Sequence, residues 1–310
     1  MKVVITATDF PDADIERAIL EDAGHEVVVT DVSAPHRIAN EAADADALLV
    51  QFAIIDRDTI SQLPKLQFIS RYGVGVDNID LEAAFERNIR VANVPSYGGD
   101  EVALHATSLI LALIRHLPGF DRCVRAGQWN YRDTGPVAAS ADMTLGLLGL
   151  GRIGRTVAER AGVWFRQVIA HDPHVIDEGA VDLVGLDELF ARADVVSVHV
   201  PLTSETAGSV DRRRMRLLGP GGYLVNTARG AVVRLDDLLE ALDAGELRAA
   251  ALDVQPHEPP PPSHPILRHP AVLLTPHVAW YSESAEADLR RQAARNVVAW
   301  QRGKPENLCR

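Results

Sequence analysis

The stretch that most limits what this chain can fold into is Gly149-Leu150-Gly151-Arg152-Ile153-Gly154, because of what flanks it. An apolar run, 144–148, leads into it, and an amphipathic helical pattern follows through Arg160. Strand, tight turn and helix in that order define one unit of a parallel α/β sheet. Gly149 allows the turn, Gly151 lets a pyrophosphate approach the backbone, and Gly154 lets helix and strand lie close together. The free N–H groups and the dipole of the helix start favour an anion there. The next strand, 168–171, ends in Asp172, 18 residues beyond Gly154. A carboxylate at that place accepts hydrogen bonds from an adenosine ribose and repels a 2′-phosphate, so NAD is expected rather than NADP. A purely structural reading stays open, in which the glycines shape a turn and Asp172 caps the loop before Pro173. Arg152 reads either as a pyrophosphate contact or as a solvated helix residue.

At 310 residues the chain exceeds what one hydrophobic core usually fills, so two domains are expected. Short apolar runs at 3–7, 26–29, 47–50, 67–70 and 91–93 alternate with amphipathic stretches, a parallel α/β pattern. Between the first two, Asp12 and Asp14 read as caps, Ile15, Ala18, Ile19 and Ala23 as an apolar face, and Gly24 as the stop. A long helix is expected over 100–117, apolar on more than one face and therefore widely buried, against a second subunit included. A second series follows, with six strands at 144–148, 168–171, 195–198, 222–226, 250–254 and 272–275. A last helix, 284–301, ends near Gly303. If it packs back on the first five strands, the amino-terminal domain is discontinuous. The expected fold class is α/β, with two Rossmann-like/flavodoxin-like domains of parallel strands and an active site in the interdomain cleft. The domains are placed at 1–97 plus 283–310 for substrate and at 98–282 for NAD.

Asp plus Glu number 43 against 31 Lys plus Arg, a formal charge of −12 that opposes long-range attraction to nucleic acid. No run approaches the roughly 18 uninterrupted apolar residues of a membrane span, and Met1-Lys2-Val3-Val4-Ile5 enters a strand pattern directly, so no membrane association and a cytoplasmic location are expected. Cys123 and Cys309 form neither a disulfide framework nor a thiolate zinc site, and no metal is expected. The biased segment 259–262 reads as a stiff proline loop in preference to a ligand for a proline-reading domain.

In an open parallel sheet, ligands bind beyond the carboxyl ends of the strands. Arg229, Glu258 and His277 each follow an expected strand within about four residues. A guanidinium clamps a carboxylate, an imidazole moves a proton near neutral pH, and a neighbouring carboxylate holds its tautomer. Beside a nicotinamide, that set suits hydride transfer to a 2-oxo acid. Each residue also has a plainer reading: a surface ion-pair partner, a solvated loop charge, and a cap or buried hydrogen-bonding histidine.

The motifs Gly149 to Gly154, His199-Val200-Pro201-Leu202-Thr203, Val225-Asn226-Thr227-Ala228-Arg229-Gly230, Ala251-Leu252-Asp253-Val254, Thr275-Pro276-His277 and Arg71-Tyr72-Gly73-Val74-Gly75-Val76-Asp77-Asn78-Ile79-Asp80 occur together in this order. With them the chain resembles the D-2-hydroxyacid dehydrogenases along nearly its whole length. His277-Val278-Ala279-Trp280-Tyr281-Ser282 and 6–15 resemble the C-terminal binding protein branch. The resemblance implies a catalytic triad of Arg229, Glu258 and His277. It implies cofactor contacts from Gly149, Gly151, Arg152, Ile153, Gly154, Asp172, His199, Thr227, Ala228, Arg229, Asp253 and His277. The substrate would meet the amides of Val74 and Gly75, together with Arg71, Arg229, His277 and Trp280; Trp280 also reads as core packing. Gln255-Pro256-His257 stands where the family usually has acidic residues, and 96–100 departs from its commonest hinge pattern. His105 reads as packing or interface in preference to catalysis. A homodimer is expected, pairing through the helix after Asp100. Two alternatives to NAD-dependent oxidation of a D-2-hydroxy acid remain: an NADH-sensing, corepressor-like protein, and a dehydrogenase for a phosphonate or phosphorylated acid.

Overall fold

A computed structural model describes residues 1–176, 179 and 181–309. They form two compact units, Met1–Gly98 with Ser282–Arg310, and Gly99–Tyr281.

The first unit is built on β1 (Lys2–Ile5), β2 (Glu26–Val29), β3 (Ala47–Val50), β4 (Phe68–Arg71) and β5 (Arg90–Ala92). All pair in parallel in the order β2-β1-β3-β4-β5, the flavodoxin-like arrangement. The central β3, Ala-Leu-Leu-Val, is wholly buried, as a parallel strand covered on both faces must be. Between the strands run α1 (Asp14–Asp22), α2 (Pro35–Glu41), α3 (Arg57–Ser61) and α4 (Leu81–Glu86). Asp56 and Asp80 cap α3 and α4, their carboxylates accepting from Thr59 N and Ala83 N at 2.8 Å.

Helix α1 departs from its sequence pattern. Its N-cap is Ala13, without a side-chain bond, and Asp12 accepts the N–H of Asp14 instead. Its fully buried residues are Glu16 and Leu20, while Ala18 is exposed and Ile15, Ile19 and Ala23 are half-buried. A carboxylate takes the buried position because its partner, Arg290, lies opposite it in the same unit. Gly24, at φ +80, ends the segment as expected.

The second unit opens with α5 (Gly99–Ile114) and α6 (Leu117–Arg125). The expected single helix stops three residues early, because His116 adopts φ +51 and the two helices meet at a 58° bend. Helix α6 has no buried residue, so no core-facing stripe announced it. Seven parallel strands follow: β6 (Thr144–Leu148), β7 (Gln167–His171), β8 (Asp182–Leu183), β9 (Val195–Val198), β10 (Tyr223–Asn226), β11 (Ala249–Leu252) and β12 (Val272–Leu274). Their order, β12-β11-β10-β9-β6-β7-β8, is the Rossmann order extended by one strand. Two residues of β8 are too few for a sequence signal, which is why six strands were expected. Helices α7 (Arg152–Ala161), α8 (Leu186–Arg192), α9 (Arg212–Leu218) and α10 (Leu235–Asp243) connect them. Helix α5 lies along α7, β10 and β11, burying Ala106, Leu109 and Ile110 in the core with Leu145, Leu147 and Val225.

Helix α11 (Glu283–Gln301) belongs to the first unit, where it lies on α1 and β4. Ser282 caps it, Trp300 stacks on Phe68 at 4.9 Å, and Ser70 Oγ donates to Ala293 O at 2.8 Å. Arg290 is 3% exposed and Glu16 1%, joined at 2.9–3.2 Å, with Asp12 a further acceptor at 2.7 Å. Among the described residues no single helix is long and apolar enough to cross a membrane.

Candidate active site

The glycine turn is shaped by sterics that the sequence required. Gly149 has φ +97, and a Cβ there would meet the backbone of His199 at 2.8 Å. A Cβ on Gly154 would sit 2.2 Å from Gly149 O, so only glycine lets α7 approach the turn this closely. Gly151, by contrast, has open space where its side chain would be. It caps α7, whose first N–H groups lack intrahelical partners, and Arg152 and Ile153 begin the helix. At the end of β7, Asp172 is more constrained than expected: Oδ2 accepts from Leu150 N and Oδ1 from His174 N, both at 2.9 Å. Each carboxylate oxygen keeps a second lone pair for a ribose hydroxyl.

His199 follows β9 with Nε2 2.9 Å from Ser197 Oγ. Burial lowers its pKa from 6.5 to about 4, so the ring is neutral near pH 7. Beyond β10, the hydroxyl of Thr227 is buried without a hydrogen-bond partner, an orphaned group that a ligand can satisfy. The open face at Gly151, the carboxylate of Asp172 and the unsatisfied Thr227 fit a dinucleotide.

Arg229, Glu258 and His277 stand beyond the carboxyl ends of three neighbouring strands, β10, β11 and β12. His277 Nδ1 and Glu258 Oε2 are 2.6 Å apart, and Glu258 Oε1 accepts from Gln255 N at 2.8 Å. Burial alone would raise the carboxyl of Glu258. The hydrogen bond and charge of His277, the Gln255 N–H and the Arg229 guanidinium outweigh it and hold the group below its ordinary range. Arg229 Nη1 donates to Ala228 O at 2.8 Å, which turns the guanidinium back towards its own loop. His277 has φ +54, a left-handed conformation that disfavours a side chain and recurs at functional sites. Asp253 is fully buried, its carboxylate accepting from Thr275 Oγ1 at 2.6 Å, Val278 N at 2.9 Å and Ala279 N at 3.0 Å. Trp280 is half-buried and meets Tyr281 edge-on, with ring centroids 5.7 Å apart.

In the first unit, Arg71 ends β4 and its guanidinium folds back to Tyr72 O. It fills the space beside Gly73, at φ +130, where a Cβ would collide with it. Val74 is exposed and Gly75 half-buried, in a loop tied down by Asn93 Nδ2 donating to Val74 O at 2.7 Å and Val94 N to Gly73 O at 2.9 Å. Beneath it, Tyr72 donates to Glu16 at 3.1 Å and meets Phe10 edge-on.

Residues 107–279 match the family described as D-isomer specific 2-hydroxyacid dehydrogenase, NAD binding domain. That span is more than half of the chain. The chain belongs to this family. It is similar to the D-3-phosphoglycerate dehydrogenase of Archaeoglobus fulgidus, 37% identical over 287 residues that cover 91% of this chain and 54% of the relative. The glyoxylate reductase of Thermofilum pendens is 38% identical over 274 residues, covering 84% of this chain and 80% of the relative. A solved D-lactate dehydrogenase of Aquifex aeolicus, complexed with NAD and lactic acid, superposes with a TM-score of 0.89 at 28% identity, covering 97% of this chain and 96% of that one. The chain spans about half the length of the D-3-phosphoglycerate dehydrogenases it matches. Within this dehydrogenase family, likeness to the C-terminal binding protein branch rests on 277–282 and 6–15 alone.

His105, expected as packing or interface, lies against the loop that carries His277, with Nε2 3.0 Å from Thr275 Oγ1. One histidine in an otherwise apolar helix was the only available signal. Among the described residues no group of three or more His, Cys, Asp or Glu side chains is arranged to hold a metal.

Proposed function

We propose that this chain is an NAD-dependent oxidoreductase that interconverts a D-2-hydroxy acid and its 2-oxo acid. The observation that carries the reading is the His277–Glu258 pair at 2.6 Å, at the strand-end rim that also holds Arg229, within a family of this chemistry. Bound NAD(H) supplies or takes the hydride. In reduction, His277 gives a proton to the carbonyl oxygen; in oxidation it takes one from the hydroxyl. Glu258 accepts Nδ1–H, which leaves Nε2 for the substrate and stabilises the imidazolium that must exist before the proton is given. Arg229 binds the substrate carboxylate through its guanidinium, whose planar fork of N–H groups matches a carboxylate. The roles of Val74, Gly75 and Arg71 at the carboxylate, and of Trp280 as a pocket wall, come from the family resemblance. Gly149, Gly151, Arg152, Ile153 and Gly154 would hold the pyrophosphate, and Asp172 the adenosine ribose. His199, Thr227, Ala228 and Asp253 would line the rest of the dinucleotide site.

The names of the relatives favour a second reading within the same chemistry, a phosphorylated 2-hydroxy acid, with Arg71 and Arg229 as anion clamps. Residues Leu104, Leu117, Trp129 and Tyr131 are exposed in the second unit and support a homodimer; a monomer mass in solution would overturn it. The two free cysteines suit a reducing, cytoplasmic compartment.

The test is NADH oxidation with glyoxylate, pyruvate, hydroxypyruvate, phenylpyruvate, 4-methylthio-2-oxobutyrate and phosphonopyruvate, and NAD reduction with D-lactate and D-3-phosphoglycerate. Turnover on one or two is expected. His277→Ala should lower kcat by about 10²–10⁴-fold with NADH affinity within about twofold. NADH binding without any turnover would replace this reading with that of a dinucleotide sensor.

A further inference from the structure

We infer that His105, acting through the hydroxyl of Thr275, is a positioning residue that holds His277 in its left-handed, proton-transferring conformation. The inference rests on the proposed role of His277. A histidine at φ +54 does not hold itself, so the surrounding structure must over-determine it. Here the restraint comes from one buried residue. Asp253 O accepts the N–H of His277 at 2.7 Å, and the Asp253 carboxylate accepts the Thr275 hydroxyl and the N–H groups of Val278 and Ala279. The backbone is thus tied down on both sides of the imidazole.

The Thr275 hydroxyl has a single proton, and its 2.6 Å contact with an acceptor-only carboxylate shows where that proton goes. The remaining contact of Oγ1, His105 Nε2 at 3.0 Å, must therefore be an N–H donated by the imidazole. His105 fixes the Thr275 rotamer, Thr275 fixes one oxygen of Asp253, and Asp253 frames the loop. The support is rigid because α5 is a core helix, with Ala106, Leu109 and Ile110 buried immediately beyond His105. A site held by a second layer of hydrogen bonds on a buried helix is the arrangement that keeps reacting groups in place.

The test uses the full chain with His105→Leu, which removes the donor, and His105→Gln, whose amide nitrogen restores a donor near Nε2. His105→Leu is expected to lower kcat about tenfold, with KM and NADH affinity within about twofold, and His105→Gln to recover at least half of the loss. The independent readout is the ¹⁵N spectrum of the histidine side chains without substrate, with His277 assigned by His277→Gln. The parent should show one His277 tautomer, protonated at Nδ1, and His105→Leu a mixture. Should His105→Leu fail to fold, Thr275→Val against Thr275→Ser makes the same comparison, the serine retaining the hydroxyl. Parent-like kcat and ¹⁵N shifts in either donor-less variant overturn the inference, as does a glutamine variant no better than leucine. A parent enzyme inert towards every acid would sink the functional reading while leaving the ¹⁵N comparison to decide the role of His105.

Discussion

Replacing Arg290 with methionine leaves the carboxylate of Glu16 buried, 1% exposed, with only the Tyr72 hydroxyl at 3.1 Å as a partner. Three guanidinium contacts at 3.0, 3.2 and 2.9 Å are lost together. Removing one partner of a buried pair costs about 3–5 kcal/mol. With a urea slope of about 2 kcal/mol per molar, the midpoint of the first unit should fall by roughly 2 M. The double variant Glu16→Leu/Arg290→Met removes both charges and should recover part of the loss, lying about 1–3 kcal/mol below the parent, because an apolar pair of similar volume repays what the ion pair loses in desolvation while the buried Tyr72 hydroxyl loses its acceptor. Trp300 is the only one of the four tryptophans in the first unit, so its fluorescence in a Trp129→Phe/Trp164→Phe/Trp280→Phe background reports that unit alone. A single-variant midpoint within about 0.3 M of the parent would refute the reasoning, as would a double variant no more stable than the single one.

Two further outcomes follow from the second unit. His199 is neutral when folded, with a pKa of about 4 against 6.5 in the unfolded chain, so between those values the unfolded chain binds a proton that the native one does not. Stability should therefore fall as pH drops from 6.5 to about 4, by at most about 3 kcal/mol, and this contribution should level off below that. Urea midpoints against pH check this, and His199→Gln should lose that part of the slope; parallel curves for the two proteins would count against it. Asp172→Asn removes the charge a 2′-phosphate would meet while keeping an acceptor for one of the two amides at 2.9 Å. The NADPH-to-NADH affinity ratio should rise about tenfold or more, read by fluorescence titration, and an unchanged ratio would remove Asp172 from cofactor selection.

What the sequence made legible was local. The run 47–50 is a strand with the expected bounds because it is apolar throughout, and 144–148, 26–29 and 195–198 repeat that success. The glycine turn was readable because each glycine answers a steric demand a few residues away. Failures came where the determining partner is distant. Glu16 lies outside the apolar face expected for its helix, and the partner that makes it a buried residue, Arg290, is 274 residues away. His105 looked like packing, and its acceptor lies 170 residues away. The break at His116 is marked in the sequence by Pro118, which stands in the first turn of α6, but not by a core-facing stripe. Of the candidate site, Arg229, Glu258 and His277 were visible as residues following strands, but the 2.6 Å contact and the left-handed backbone at His277 are properties of packed loops.

The two units do not share one history of synthesis. Everything from Gly99 to Tyr281 is continuous in sequence, so the seven-stranded sheet can close as soon as it leaves the ribosome. Residues 1–98 emerge earlier yet must wait longer, since α11 brings Arg290 to Glu16, the carbonyl of Ala293 to Ser70, and the indole of Trp300 to Phe68. The unit made first is thus the unit finished last. A translation stop after Tyr281 but early in α11 yields a complete dinucleotide fold joined to a sheet with an uncovered face and a stranded carboxylate, a product that quality control would meet as half native and half adhesive.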